Sequence, residues 1–100
     1  MRYFTGYKYY LDGDWAFQTD IRPELPVIHK YFEIRRDGWI IARDRYAWNG
    51  SDYVADTLNS QSASLVHDIV CQAVQLGLLD RKWKRQGDIE YYKQSTTNGM

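Results

Sequence analysis

The chain has 100 residues, 44% hydrophobic and 16% aromatic, which suits one folded domain over 1–100 and excludes a disordered protein. Thirteen basic and thirteen acidic side chains cancel, so nucleic acid is not the expected partner, and a lone cysteine, Cys71, excludes an intrachain disulfide framework. No run approaches the roughly 18 apolar residues of a membrane span and no signal peptide is recognisable, so we expect a soluble, cytoplasmic protein without a membrane span.

Residues 1–45 are expected to form mainly β-hairpins. Segments 7–11 and 15–21 are rich in strand-forming residues and flank the Asp-Gly turn at 12–14, which predicts a first hairpin. Two prolines within 22–26 then interrupt the regular structure, because proline suits neither a helix interior nor a central strand.

A second hairpin is predicted over 31–43. Two apolar or alternating runs meet at Asp37 and Gly38, a two-residue turn in which glycine accepts a positive φ. The following residues, 46–60, contain several turn formers and little periodicity, which predicts a long loop of the kind that often carries function.

Two helices are predicted over 61–94, followed by a polar tail at 95–100. The first begins at a Ser/Gln/Ser cluster and ends at Gly77, and Asp80 is placed to cap the second. The short link makes the helices antiparallel neighbours. The predicted fold is α+β: a small antiparallel sheet of about four strands (two hairpins), a loop and a C-terminal helical hairpin.

His67 and Asp68 occupy different sides of the first helix. At about 100° per residue, His67 lies at the margin of the apolar stripe, while Asp68 points towards solvent or the preceding loop. The stripe consists of Leu65, Val66, Ile69, Val70, Ala73, Val74 and Leu76.

The second helix carries Asp88 beside its own apolar stripe. In an antiparallel pair, Asp88 could reach the His67 ring, fix its tautomer and make it a general base. Asp68 could then bind a divalent cation such as Ca²⁺ with loop residues, in particular Asn49 and Asp52, and the cation would polarise a substrate oxygen.

Simpler interpretations stand beside these. A His-Asp pair at the edge of a core is usually only hydrogen-bonded. Cys71 lies one turn after His67, where a thiolate-imidazole pair is possible, yet a lone cysteine is more often a small buried hydrophobe. The basic run 81–86, which includes Arg85, is more typical of a solvated helix face than of a nucleic-acid site.

Three motifs in order resemble a family of small phage and prophage proteins. Its members carry a Gly-Tyr-x-Trp-Asp-Gly-x-Ser loop, a Ser-x-x-His-Asp-x-Leu-Tyr-Gln helix and a later Arg-x-x-Ala-Asp. The match covers roughly the last 60 residues. Its elements here are Tyr46, Trp48, Asn49, Gly50 and Ser51, then Ser64, His67, Asp68 and Gln72, then Arg85 and Asp88.

The helix motif is also similar to the catalytic helices of calcium-dependent secreted phospholipases. That resemblance implies His67 as the base that activates water, Asp68 as the calcium ligand and Asp88 as the orienting carboxylate. This chain departs from the phage pattern with Cys71 in place of tyrosine, Asn49 in place of aspartate and Gly87 in place of alanine.

Two functions remain open at this point. The first is a phage-encoded accessory protein of the host cytoplasm with a His-Asp, metal-assisted hydrolase site. The second is a non-enzymatic phage protein: a host- or defence-directed inhibitor that binds a host or phage protein, or a small virion component. Substrate, partner and oligomeric state are not predicted.

Overall fold

The computed structural model describes residues 3–4, 9–48 and 58–97, and for 58–61 and 91–97 it describes the backbone alone. Seven strands precede two helices within these ranges, which confirms the α+β fold. The strands are β1 (Tyr3–Phe4), β2 (Tyr9–Leu11), β3 (Trp15–Gln18), β4 (Val27–Ile28), β5 (Phe32–Ile34), β6 (Trp39–Ala42) and β7 (Ala47–Trp48), and the helices are α1 (Leu58–Gln75) and α2 (Lys84–Thr97).

The strands form two antiparallel sheets, one of four strands in the order β3-β6-β5-β4 and one of three in the order β1-β2-β7. The predicted pairing of the first hairpin is wrong, because β2 pairs with β1 and β7 while β3 pairs with β6. Residue Asp44 explains the difference. Its Oδ1 accepts the Gly13 N–H at 2.7 Å, and its own N–H donates to Asp14 Oδ1 at 2.8 Å. The turn is therefore tied to a distant loop and leads from one sheet to the other.

The second hairpin, β5 to β6, is confirmed, although its closing pair, Arg35 and Trp39, encloses three residues where two were predicted. The Gly38 N–H donates to the Arg35 carbonyl at 3.1 Å, and the Arg35 N–H donates to the Trp39 carbonyl at 2.8 Å. This pattern, with Gly38 at φ +93°, is a type I turn followed by a glycine bulge. A side chain at Gly38 would also collide with the Thr19 carbonyl oxygen, so the glycine lets the two segments touch.

The predicted end of the first helix at Gly77 and the predicted cap Asp80 are confirmed, but the Ser/Gln/Ser cluster expected to begin the first helix lies inside it. Helix α1 begins at Leu58, three residues before the predicted start, and β7 occupies two residues of the predicted loop. At its C-terminal end, Leu78 donates to the Ala73 carbonyl and Gly77, at φ +74°, donates to Val74, a Schellman motif.

The second helix is preceded by a 3₁₀ turn at Arg81–Trp83, and Asp80 caps this turn by accepting the Lys82 N–H at 2.9 Å. Helix α2 then extends to Thr97, three residues beyond the predicted end at 94. No helix in the described part of the chain combines the length and apolar character needed to cross a membrane.

The predicted stripe of α1 packs on the sheets and forms one core with them. The prediction is wrong only for Leu76, which was expected on the buried stripe but lies just past the last helical residue and is exposed. The core combines Leu65, Val66, Ile69, Val70 and Ala73 of α1 with sheet residues that include Leu11, Phe32, Ile34, Ile40 and Trp48.

Candidate functional site

The exposed margins of α1 and α2 bring His67 and Asp88 into contact. Nε2 of His67 lies 2.7 Å from Oδ1 of Asp88, as the helical projection predicted. The short connection between the helices makes them antiparallel. A second close approach, of Gly87 to Val70, agrees with this arrangement. The two contacts place residues 67 and 70 of one helix beside 88 and 87 of the other.

The contact assigns the tautomer of the His67 ring. A carboxylate accepts hydrogen bonds, so Nε2 donates to Asp88 and the proton of a neutral ring is held there. The side chains of His67 and Asp88 are 37% and 57% exposed, which makes the pair accessible from solvent. An oriented, accessible imidazole of this kind can accept a proton from a bound molecule.

Cys71 lies beside the same ring, with its Sγ 3.8 Å from His67 Nδ1. Burial raises the pKa of the thiol above its usual 9.0; Lys84 works against this shift, while the carboxylates of Asp88 and Asp68 add to it. The cysteine is therefore a protonated thiol at neutral pH. This argues against the thiolate-imidazole alternative, because only the thiolate is a good nucleophile.

Asp68 takes part in a second polar cluster, with Tyr46 and Gln72. The buried Tyr46 hydroxyl lies 2.8 Å from Asp68 Oδ2 and 2.8 Å from Gln72 Oε1. The hydroxyl has one proton for these two acceptors, and the carboxylate is the stronger acceptor. Burial and the neighbouring charge of Asp68 raise the pKa of Tyr46 far above its usual range, so the phenol remains a donor. Three residues of the phage-family motifs thus meet at one point.

The proposed cation ligands divide into two groups. Asn49 and Asp52 lie outside the described residues, and so do Gly50 and Ser51 of the loop motif. Within the described residues, no cluster of three or more His, Cys, Asp or Glu side chains could hold a metal ion. Asp68 uses Oδ2 for the Tyr46 hydroxyl, and its other oxygen, Oδ1, has the chemistry to bind a hard cation.

The remaining motif residues have other roles. Trp48 is buried and stacks on Tyr9 with ring centroids 5.7 Å apart, and its Nε1 has no hydrogen-bond partner in the part of the chain that the structure describes. Ser64 is half-buried and Arg85 is exposed.

Sequence reasoning did not identify Glu90 as a buried residue. Its side chain is only 1% exposed and joins α2 to the segment that follows β3, with Oε2 accepting the Asp20 N–H at 2.9 Å and the Gln86 Nε2–H at 2.8 Å. The burial of Glu90 could have been predicted from its position on the apolar face of the second helix. Trp83, Gly87 and Glu90 follow one another at the spacing of a single helix face.

In comparisons with known proteins, the chain matches no protein-family model, no curated protein and no solved structure. Its class is therefore defined by the fold and by the contact between His67 of α1 and Asp88 of α2. It is an α+β domain that carries a partly exposed histidine-carboxylate pair on a helical hairpin.

Proposed function

We propose that this chain is a phage-encoded accessory protein that hydrolyses an ester or a similar bond in the host cytoplasm, with His67 as the general base. The observation that carries the hydrolytic part is the 2.7 Å contact between His67 Nε2 and Asp88 Oδ1 on partly exposed helix margins. The phage origin is supported by the three motifs in order, which resemble the phage and prophage family described above.

His67 removes a proton from the attacking water through the ring nitrogen that does not face Asp88. The water oxygen then bonds to the substrate carbonyl carbon, and the proton is passed from the imidazolium to the leaving oxygen as the old bond breaks. Asp88 keeps the ring oriented and stabilises the transient positive charge. Cys71 remains a neutral neighbour of the ring, because burial raises the pKa of its thiol.

A divalent cation is the second part of the proposal. Asp68 would bind it through one carboxylate oxygen, together with Asn49 and Asp52, while the Tyr46 hydroxyl holds the other oxygen in place. The cation would supply Lewis-acid polarisation of the substrate oxygen. Ca²⁺ is the first ion to test, because all of these ligands would be oxygen atoms.

A non-enzymatic binding role is the second candidate, as an inhibitor directed at a host or defence protein or as a virion component. The observation that favours it is the exposure of large apolar side chains on and beside the four-stranded sheet, among them Ile28, Tyr31 and Trp39. Such residues are typical of recognition surfaces. The partial exposure of His67 favours the hydrolase, since a base must reach its substrate.

The experiment that separates these functions compares the chain with His67→Ala and Asp88→Asn on p-nitrophenyl esters of increasing acyl length, with calcium and with a chelator. General-base catalysis is worth about 10²–10⁴-fold, so His67→Ala is expected to lose at least about 100-fold in rate while melting within a few degrees of the parent chain. A rate that falls with the chelator and returns with calcium would support the cation.

The matched control is Arg36→Gln, which removes an exposed charge on the hairpin loop and should leave the rate unchanged. The ring ¹⁵N shifts of His67 provide a readout that needs no substrate, because the Nε2–H tautomer is expected and Asp88→Asn should shift it. Parent rates equal to those of His67→Ala on every ester would overturn the hydrolase proposal, and a large loss of melting temperature in His67→Ala would make His67 structural.

A further inference from the structure

A second pair of side chains faces across the two helices, one turn away from His67 and Asp88. In an antiparallel helix pair, one turn forward along α1 corresponds to one turn back along α2. The contact between His67 and Asp88 therefore places Cys71 of α1 opposite Lys84 of α2. Lys84 and Asp88 are four residues apart and share one face of α2, so the four side chains lie on the same two helix margins.

The positive charge of Lys84 acts at this second pair. Burial raises the pKa of the Cys71 thiol, and the charge of Lys84 opposes that rise, as expected for an ammonium group near the sulfur. The Lys84 side chain is exposed, and in the described part of the chain its ammonium takes part in no hydrogen bond or ion pair. Lys84 can therefore interact with a negatively charged group that forms beside the helices.

Ester hydrolysis by His67 would create negative charge at this place. When the water oxygen bonds to the carbonyl carbon, an electron pair of the C=O bond moves onto the carbonyl oxygen, which becomes an oxyanion. Cys71 Sγ lies 3.8 Å from Nδ1 and 3.9 Å from Nε2 of the His67 ring, so the second pair borders the atoms that would handle the proton. Asp88 cannot stabilise the oxyanion, because its carboxylate is also negative.

We propose that Lys84 stabilises the oxyanion of the substrate, an inference that rests on the proposed ester hydrolysis by His67. The Lys84 ammonium donates a hydrogen bond to the carbonyl oxygen as negative charge develops there. The electron pair returns to re-form the C=O bond when the leaving oxygen departs with the proton from the His67 imidazolium. Lys84 itself gives up no proton. It acts on the same oxygen as the proposed divalent cation, so a chelator separates the two contributions.

The first test needs no hydrolysis and uses Cys71 as a reporter. The thiol is alkylated with iodoacetate, an anion, and with iodoacetamide, which is neutral, in the parent chain, Lys84→Gln and Lys84→Arg. Both reagents react with the same thiolate, so the ratio of the two rates does not depend on the thiol pKa and reports the attraction of an anion. The ratio should be about threefold higher in the parent than in Lys84→Gln, as Coulomb's law gives for unit charges about 6 Å apart in water. Lys84→Arg should keep the parent ratio, and high salt should reduce the difference.

The second test measures ester hydrolysis with the chelator present. One oxyanion donor is worth about 10²–10³-fold in a closed site, and Lys84 is exposed, so Lys84→Gln is expected to lose at least about tenfold in kcat. KM should stay within about twofold, because the oxyanion exists only after the water has attacked. Lys84→Arg should retain most of kcat, since it keeps a charged donor.

Lys82→Gln is the matched control, because it removes the same charged group two residues earlier, where the ammonium lies over the Trp83 ring at 5.6 Å. It should change neither the alkylation ratio nor kcat. An alkylation ratio that is equal in the parent and Lys84→Gln would overturn the inference, and so would equal kcat values in an active parent. A parent chain that hydrolyses no ester would end the proposed function and the role of Lys84 in it, whereas the alkylation ratio would still show whether Lys84 attracts an anion there. The two failures are therefore distinguishable.

Discussion

Gly87 of α2 lies against Val70 of α1 so closely that a β-carbon at Gly87 would be 2.7 Å from Val70 Cγ1. Real β-carbons essentially never approach so near, which means that the helices reach this spacing because residue 87 has no side chain. Asp88 is the next residue, and its contact with His67 depends on the same spacing. The close packing of the helices requires glycine at position 87, and this packing also brings Asp88 to His67.

Gly87→Ala is expected to destabilise the chain. Overpacking costs about 1–3 kcal/mol and the helix propensity of alanine returns about 1 kcal/mol, so the net loss should be about 1 kcal/mol. Urea unfolding measures it. The substitution should also separate His67 from Asp88, and the ¹⁵N shifts of the His67 ring should move towards those of Asp88→Asn.

Val70→Ala provides the control for that prediction, because it removes the methyl groups against which the new β-carbon would collide. The double variant should be less destabilised than the sum of the single variants by about 1 kcal/mol. Arg85→Ala, an exposed change on the same helix, should stay within about 0.5 kcal/mol of the parent chain. Additive effects would mean that the helices have room at Gly87.

Tyr46→Phe is expected to cost about 1–3 kcal/mol, because it removes a buried donor and leaves the acceptors on Asp68 and Gln72 without it. Urea unfolding again gives the measurement, and Tyr31→Phe, at an exposed tyrosine, is the matched control. If Tyr46→Phe were as stable as the control, the hydroxyl would not hold Asp68 in place, and the proposed cation site would lose its positioning residue.

Cys71 is expected to react slowly with iodoacetamide. The folded thiol has a pKa above 9.0 through burial and the charges of Asp88 and Asp68, so at pH 8 to 9 it should be alkylated more slowly than the unfolded chain in urea. Asp88→Asn should speed alkylation by lowering the thiol pKa, whereas Lys84→Gln should slow it by removing the opposing positive charge.

The same shift predicts a direction for stability. The unfolded thiol ionises near 9.0 and the folded one at higher pH, so the contribution of Cys71 is present below pH 9 and is lost as the pH rises beyond it. Cys71→Ala should remove this part of the pH dependence. A folded thiol that reacts faster than the unfolded chain at pH 8 would show a stabilised thiolate and contradict the burial argument.

Some features could be predicted from the sequence because they depend on neighbours along the chain. Turn chemistry located Gly38 and Gly77, and Asp80 was recognised as a cap from the residue type that begins helical turns. Helical periodicity and a short link are also local, and together they placed His67 opposite Asp88. The candidate pair was therefore within reach of sequence reasoning, and its catalytic role remains a proposal.

Other features depend on residues far apart in sequence, and only the tertiary structure decided them. Local strand propensity indicates where strands occur but not which strands pair. The sequence around Gly13 therefore predicts a hairpin turn, whereas in the structure this turn is hydrogen-bonded to Asp44 and connects two sheets. Glu90 is tolerated in the interior because the Asp20 N–H reaches it from the segment after β3, and no local pattern encodes that partner. The sequence by itself determined the two helices, their faces and the longer strands, whereas the short strands β1, β4 and β7, the strand pairing, the burial of Glu90 and the link from Tyr46 to Asp68 were decided by packing, because each depends on how separate elements meet in space.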